Sequence, residues 1–186
     1  MMLRGYIDES IDKRQNILTL ACLISTGKEW AELERAWKTY LAGWNKRLKK
    51  LGRPPLTRYH ASDCRNLKRE FVGWSTDEQR ELTQGLLGIL RRSARTNTIA
   101  YDTNLPDMCE VFPDANKDRL RAAYSILTKL LISSIGQDQG ALDPTGKITL
   151  FHDRCEYDNV ILQSFRQMTD DPAFAHKSYF MRQARK

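Results

Sequence analysis

Leu3-Arg4-Gly5-Tyr6-Ile7-Asp8-Glu9-Ser10 is the stretch whose reading decides the fold. Its apolar spacing predicts a short strand over residues 3–8, beginning almost at the first residue. The run finishes in two adjacent carboxylates. An ionised carboxylate is costly to bury without a partner, so a strand ending this way needs a cation, a basic neighbour or solvent at its end. A second run, Ile148-Thr149-Leu150-Phe151-His152-Asp153, also finishes in an acid. Two strands that each deliver an acid at the same end can build a site for a divalent metal.

The chain has 186 residues, enough for one domain with a substantial core. At 41% hydrophobic and 28% charged residues its composition is that of a globular protein. No stretch approaches the roughly 20 apolar residues of a membrane span. Arg4, Asp8 and Glu9 interrupt any secretory leader at the N-terminus, so a soluble cytoplasmic protein with no membrane partner is expected. A net charge of +7 suits a polyanionic partner such as nucleic acid. The cysteines, Cys22, Cys64, Cys109 and Cys155, are widely spaced and contain no Cys-x-x-Cys pair, so reduced thiols are expected.

Outward from the first strand, residues 16–24 read as a second strand. Its run is nearly continuous and apolar, as in a strand covered on both faces. The link Ser10–Gln15 is short enough for an antiparallel hairpin. Residues 28–51 carry Trp30, Leu33, Trp37, Leu41, Trp44, Leu48 and Leu51 at helical steps. That stripe reads as packing surface rather than a base-stacking platform. Ser75-Thr76-Asp77-Glu78 is a capping-box pattern opening a helix to about Ser93. A strand over 98–102, a loop over 103–116, a helix over 117–135, a loop over 136–146, a strand over 147–153, a helix over 156–169 and a beginning strand near 178–181 complete the reading. No repeat or linker is evident, and residues 1–186 are expected to form a single domain.

The candidate chemistry lies in Asp8, Glu9, Asp153 and the pair His60 and Asp63, which share one short loop. Clustered carboxylates are the usual ligands of Mg2+ or Mn2+, and a histidine can move protons beside them. Lys46, Lys49, Lys50, Arg53 and Arg58 follow the first helix and form the best candidate phosphate-contact patch. They equally complement the negative end of that helix. By residue type alone, His60, Cys64, His152 and Cys155 form a rival zinc set. There is no phosphate-binding glycine loop and no nucleophile elbow.

Tyr6-Ile7-Asp8-Glu9-Ser10, Tyr59-His60-Ala61-Ser62-Asp63 and Leu150-Phe151-His152-Asp153-Arg154 together resemble the motifs of the DUF3800 family, in the same order and across most of the chain. That family is bacterial, partly phage-associated, and grouped with the RNase H-like superfamily. The resemblance implies an α/β fold, with a mixed central sheet flanked by helices on both sides, and a metal-dependent nuclease. It places Asp8 as the acid of the first strand and Asp153 as that of the fourth. Glu9, His60 and Asp63 match motif positions of less defined role. Ile11 stands where the family has glycine. Members continue into a further strand and an acid-bearing helix that do not follow Lys186, so a shortened C-terminus, weakened activity and self-association are expected.

Two functions compete. One is hydrolysis of DNA or RNA phosphodiesters with Mg2+ or Mn2+, Asp8 and Asp153 holding the metal with Glu9 or Asp63 assisting. The other is a non-catalytic module that binds nucleic acid or protein in a mobile-element or phage-related setting.

Overall fold

The computed structural model describes residues 2–92, 97–142, 147–152, 155–170 and 179–183. The chain is a mixed α/β structure that divides into two compact units, residues 1–27 with 97–186, and residues 28–96. The sequence reading placed both in one domain.

The first unit is built on a five-stranded sheet in the order β3-β2-β1-β4-β5. β1 (Met2–Asp12) and β2 (Ile17–Thr26) form an antiparallel hairpin, paired from Leu3 opposite Thr26 to Asp12 opposite Ile17. The strand is therefore longer than the expected 3–8, and Ser10, Ile11 and Asp12 belong to it rather than to the link. Turn chemistry sets this boundary. Asp12 Oδ1 accepts from the backbone N–H groups of Arg14 at 2.9 Å and Gln15 at 3.1 Å. Asn16 closes the turn at φ 53°, a conformation asparagine tolerates better than most residues. β3 (Asn97–Asn104) runs antiparallel to β2, while β4 (Lys147–His152) is parallel to β1 and β5 (Tyr179–Gln183) parallel to β4.

Strand alternation divides the sheet into two faces. Leu3, Ile7, Leu18, Leu20, Cys22, Ile24, Ile148 and Leu150 share one face and form the core with three helices. These are α4 (Leu105–Val111), α5 (Arg119–Leu142) and α6 (Asp158–Asp170). Tyr124, Leu127, Leu131, Ile132 and Ile135 of α5 are buried there. Removing such side chains from water stabilises by roughly 1.5–3 kcal/mol apiece. The other face, with Arg4, Tyr6, Asp8, Ala21 and Leu23, is half-buried to exposed. β2 thus alternates, rather than being covered equally on both faces as its apolar run suggested. α4 replaces part of the expected loop 103–116. Asn104 Oδ1 caps it by accepting from Asp107 N–H at 3.2 Å, and Pro106 sits in the first turn, where no N–H is needed. α5 continues through Leu142, well into the segment expected to be loop.

The second unit contains α1 (Gly27–Lys50, entering from the first unit), α2 (Ala61–Arg65) and α3 (Thr76–Arg92). Its core gathers Leu33, Leu41, Trp44, Leu48, Leu56, Phe71, Trp74, Leu82 and Leu86. Trp44 stacks on Trp74 with ring centroids 5.1 Å apart, so the tryptophan stripe packs inward as expected. The capping box forms at α3: Glu78 N–H donates to Ser75 Oγ at 3.1 Å, and Ser75 N–H to Glu78 Oε2 at 2.8 Å. Asn45 of α1 clamps the following loop. Its Nδ2 donates to Leu56 O at 3.0 Å, and its Oδ1 accepts from Leu56 N–H at 2.7 Å.

Candidate functional site

Asp8 and Glu9, read from the sequence as strand-end acids, lie inside β1. What stops near them is the pairing with β4, whose last pair is Ile7 opposite His152. Asp8 follows Ile7 in sequence and Asp153 follows His152. Asp153 lies outside the described residues. The chain passes from β1 to β2 on one side of this pair of strands and from β4 to β5 on the other. In open α/β sheets such a divergence beside parallel strands is where a crevice opens at their carboxyl ends.

Adjacent residues of a strand point to opposite faces, and this separates Asp8 from Glu9. Asp8 is exposed on the face of Tyr6, opposite Ala21 of β2. Glu9 is half-buried on the helix-covered face, opposite Leu20. Its negative charge adds to the burial that pushes the Tyr124 hydroxyl upward, and to the burial that pushes the Cys155 thiol up to about 11. On that same face His152 is buried, with Nδ1 3.5 Å from Asp158 Oδ1. Asp158 Oδ1 also accepts from Cys155 N–H at 2.9 Å, tying the start of α6 to the end of β4.

His60 and Asp63 belong to the second unit and meet there. His60 Nδ1 lies 3.1 Å from Asp63 Oδ2, and Ser62 Oγ 3.2 Å from the same nitrogen. A carboxylate at Nδ1 favours the proton on that nitrogen and leaves Nε2 of a neutral ring as the acceptor. Arg69 Nε approaches the same Asp63 oxygen at 3.5 Å. The pair opens on a cavity of about 280 Å3 rimmed by Thr57, Arg58, His60, Asp63, Arg69 and Glu70. Leu67 and Arg69 have φ of 52° and 53°, left-handed conformations that are strained for such side chains. Backbone strain of this kind persists where the surroundings over-determine it, and it concentrates at working sites.

The basic patch is not uniform. Arg53 Nη1 is held by Glu78, at 3.0 Å from Oε1 and 3.1 Å from Oε2, so this guanidinium fastens α3 to the end of α1. Lys46, Lys49, Lys50 and Arg58 are exposed. Lys46 and Lys49 flank a cavity of about 550 Å3 shared with Asn45, Arg53 and Pro55.

Within the described residues no group of three or more His, Cys, Asp or Glu side chains is placed to hold a metal. Of the zinc set, His60 and Cys64 belong to one unit and His152 and Cys155 to the other, and burial raises both thiols. Sequence reasoning missed Asp158, Arg69 and Glu70. Asp158 carried a local signal, since it stands three residues after Cys155 at a helix start. The other two carried none. No described helix is long and apolar enough to cross a membrane. No protein-family model matches the sequence, and no curated protein matches it.

Proposed function

We propose that the chain is an RNase H-like domain of the DUF3800 kind that hydrolyses phosphodiesters of nucleic acid with Mg2+ or Mn2+. The observation that carries this reading is the parallel β1·β4 register, which ends at Ile7 opposite His152, each of which is followed in sequence by an acid. The donor type fits. Magnesium takes hard oxygen ligands and is commonly held by one or two carboxylates, with water and substrate phosphate completing its shell. Asp8 and Asp153 would hold the ion. Glu9, on the other face, would act through the Tyr124 and Cys155 side of the sheet rather than share a ligand set with Asp8. A bound ion would supply an activated water and stabilise the leaving oxygen. Lys46, Lys49, Lys50 and Arg58 would hold phosphates by charge, while Arg53 acts through its pairing with Glu78. His60, oriented by Asp63, offers Nε2 as a proton acceptor within its own cavity.

The divergence of Asp8 and Glu9 favours a second reading, a non-catalytic nucleic-acid-binding module, because the described acids do not converge. One experiment separates the two. Full-length protein is incubated with labelled single- and double-stranded DNA and RNA in Mn2+ or EDTA, beside Asp8→Ala and Asp153→Ala. The nuclease reading expects cleavage in Mn2+ that falls to the EDTA background in both variants. Cleavage that survives both substitutions overturns the site. Binding without cleavage under either metal supports the module.

A further inference from the structure

The cavity beside His60 carries donors that the second unit does not use itself. Arg58 lines it and has no acidic partner among the described residues. Arg69 meets Asp63 through Nε alone, at 3.5 Å, and its side chain is 69% exposed, so both Nη groups remain available. His60 spends Nδ1 on Asp63 and leaves Nε2 without a partner among the described residues. The acids of the rim are already engaged. Asp63 Oδ2 serves His60 and Arg69. Glu70 is turned onto Thr57, whose N–H lies 3.3 Å from each carboxylate oxygen and whose hydroxyl donates to Oε1. At about 280 Å3 the cavity sits at the small end of ligand pockets, which run from about 300 to 1,000 Å3. That suits a tetrahedral oxyanion with a few waters, each occupying about 30 Å3 in the liquid.

We propose that this cavity binds a phosphate monoester, carried on the nucleic-acid reading above by a phosphorylated strand end. The proposal rests on that reading for the source of the phosphate, and adds which part of a strand the second unit takes. Arginine presents planar N–H donors that match phosphate oxygens. Arg58 and Arg69 bring two such groups to one rim. A proton taken by His60 Nε2 makes both ring nitrogens donors, Nδ1–H to Asp63 and Nε2–H to the cavity. Arg58, Arg69 and His60 are then positive against Asp63 and Glu70, and the balance favours an anion. A monoester brings about −1.5 to −2 of charge and three acceptor oxygens near neutral pH. A backbone diester brings a single charge and fewer free oxygens. The donor groups of Arg58, Arg69 and His60 match the monoester oxygen for oxygen.

The competing account is that His60, Asp63 and Arg69 only pin the turn in which Leu67 and Arg69 take positive φ. It assigns nothing to Arg58. Two measurements on the full chain separate the accounts. Fluorescence anisotropy in EDTA compares internally labelled single strands of one sequence that carry a 5′-phosphate, a 3′-phosphate or hydroxyls at both ends. One phosphorylated strand should bind about tenfold tighter than the hydroxyl-ended strand, the lower end for a charge-assisted hydrogen bond. Arg58→Gln and His60→Gln should each bring that ratio to within about twofold of unity. Arg65→Gln, which removes an exposed cation outside the cavity, should preserve it. Inorganic phosphate titrated into nitrogen-15-labelled protein should shift the ring nitrogens of His60, identified by their loss in His60→Gln. Thermal melting verifies folding, and Arg58→Gln carries the test alone should His60→Gln fail to fold. Equal affinity for every strand end, with the His60 nitrogens unmoved by phosphate, overturns the proposal, as does a preference that survives in folded Arg58→Gln and His60→Gln proteins. A His60 ring that responds to phosphate, without preference among strand ends, supports the site and assigns it free phosphate. The two readings fail separately. A phosphate-responsive His60 in a chain that binds no strand sinks the nucleic-acid reading and leaves the site. Strand binding that ignores end phosphates, with His60 unmoved, does the opposite.

Discussion

Gly5→Ala should destabilise the protein, and the size of the effect follows from the packing. Gly5 lies on the core face of β1, between β2 and β4. A Cβ added there would stand 2.6 Å from Leu150 Cδ2, 3.0 Å from Cys22 Sγ and 3.4 Å from Ile24 Cγ1. Leu150 and Cys22 are wholly buried and Ile24 almost so, so none can retreat into solvent. Overpacking a close-packed core by one methyl costs about 1–3 kcal/mol. Alanine recovers roughly 0.5–1 kcal/mol of the chain entropy that glycine loses within a strand. A net loss of ~1–2 kcal/mol remains. For a chain of this size it corresponds to a fall in melting temperature of roughly 2–8 °C. Differential scanning calorimetry of Gly5→Ala, Leu150→Val and the double variant reads it directly. Leu150→Val withdraws the nearest atom, so the double variant should be more stable than the sum of the singles by about 0.5 kcal/mol or more. A Gly5→Ala protein that melts at or above wild type, or singles that simply add, would refute the reasoning. The clash also lies three residues before Asp8, so a shifted β1 should weaken any Mn2+-dependent activity as well.

Ser75→Ala should cost about 1 kcal/mol by removing one half of the capping box, read by urea denaturation. The Ser75 backbone N–H, and then Arg53, hold the Glu78 carboxyl below the usual carboxylate range, against the opposing effect of its burial. A carboxyl lowered in the folded state contributes stability above its ordinary value, about 4.3, and that contribution is lost as pH falls through the folded value. Acidification should therefore lower the melting temperature of wild type more than that of Glu78→Gln; equal pH profiles would remove Glu78 from the account. Asn45→Ala leaves Leu56 without both of its side-chain partners and should cost about 1–3 kcal/mol, and a change of only a few tenths would show that the loop holds without its clamp. Burial pushes the Cys22 thiol up to about 12 and Cys155 up to about 11. Maleimide at neutral pH should label both slowly in native protein and quickly in urea, and native labelling of Cys22 at the denatured rate would contradict its place in the core.

Features set by neighbours in sequence were legible beforehand. The capping box at Ser75 and Glu78, the hairpin of β1 and β2, the inward stripe of α1 and the proximity of His60 to Asp63 all rest on short-range rules. Pro106 misled because a proline at the first helical turn looks the same in sequence as one that breaks a helix. The opposition of Asp8 and Glu9 was available from strand alternation alone, once the strand was known to continue past them. Arg69 beside Asp63, and the partition into two units, depend on contacts that no local pattern encodes. Asp153, on which the metal reading leans most, lies outside the described residues.

β2 and β3 are antiparallel neighbours, with Ile24 opposite Asn97, and residues 28–96 lie between them in sequence. The helical unit is thus a hairpin loop grown to the size of a small domain, with its entry and exit fixed side by side by strand pairing. Closing a loop grows dearer only logarithmically, by about 0.6 kcal/mol for each doubling of its length, and this one carries a hydrophobic core of its own. The sheet is therefore largely indifferent to what occupies that connection. A two-residue turn could in principle stand in its place. The basic helix end and the His60 cavity can then be remodelled, exchanged or discarded without redrawing the strand that carries Asp8, so the connection and the sheet are free to evolve on separate schedules.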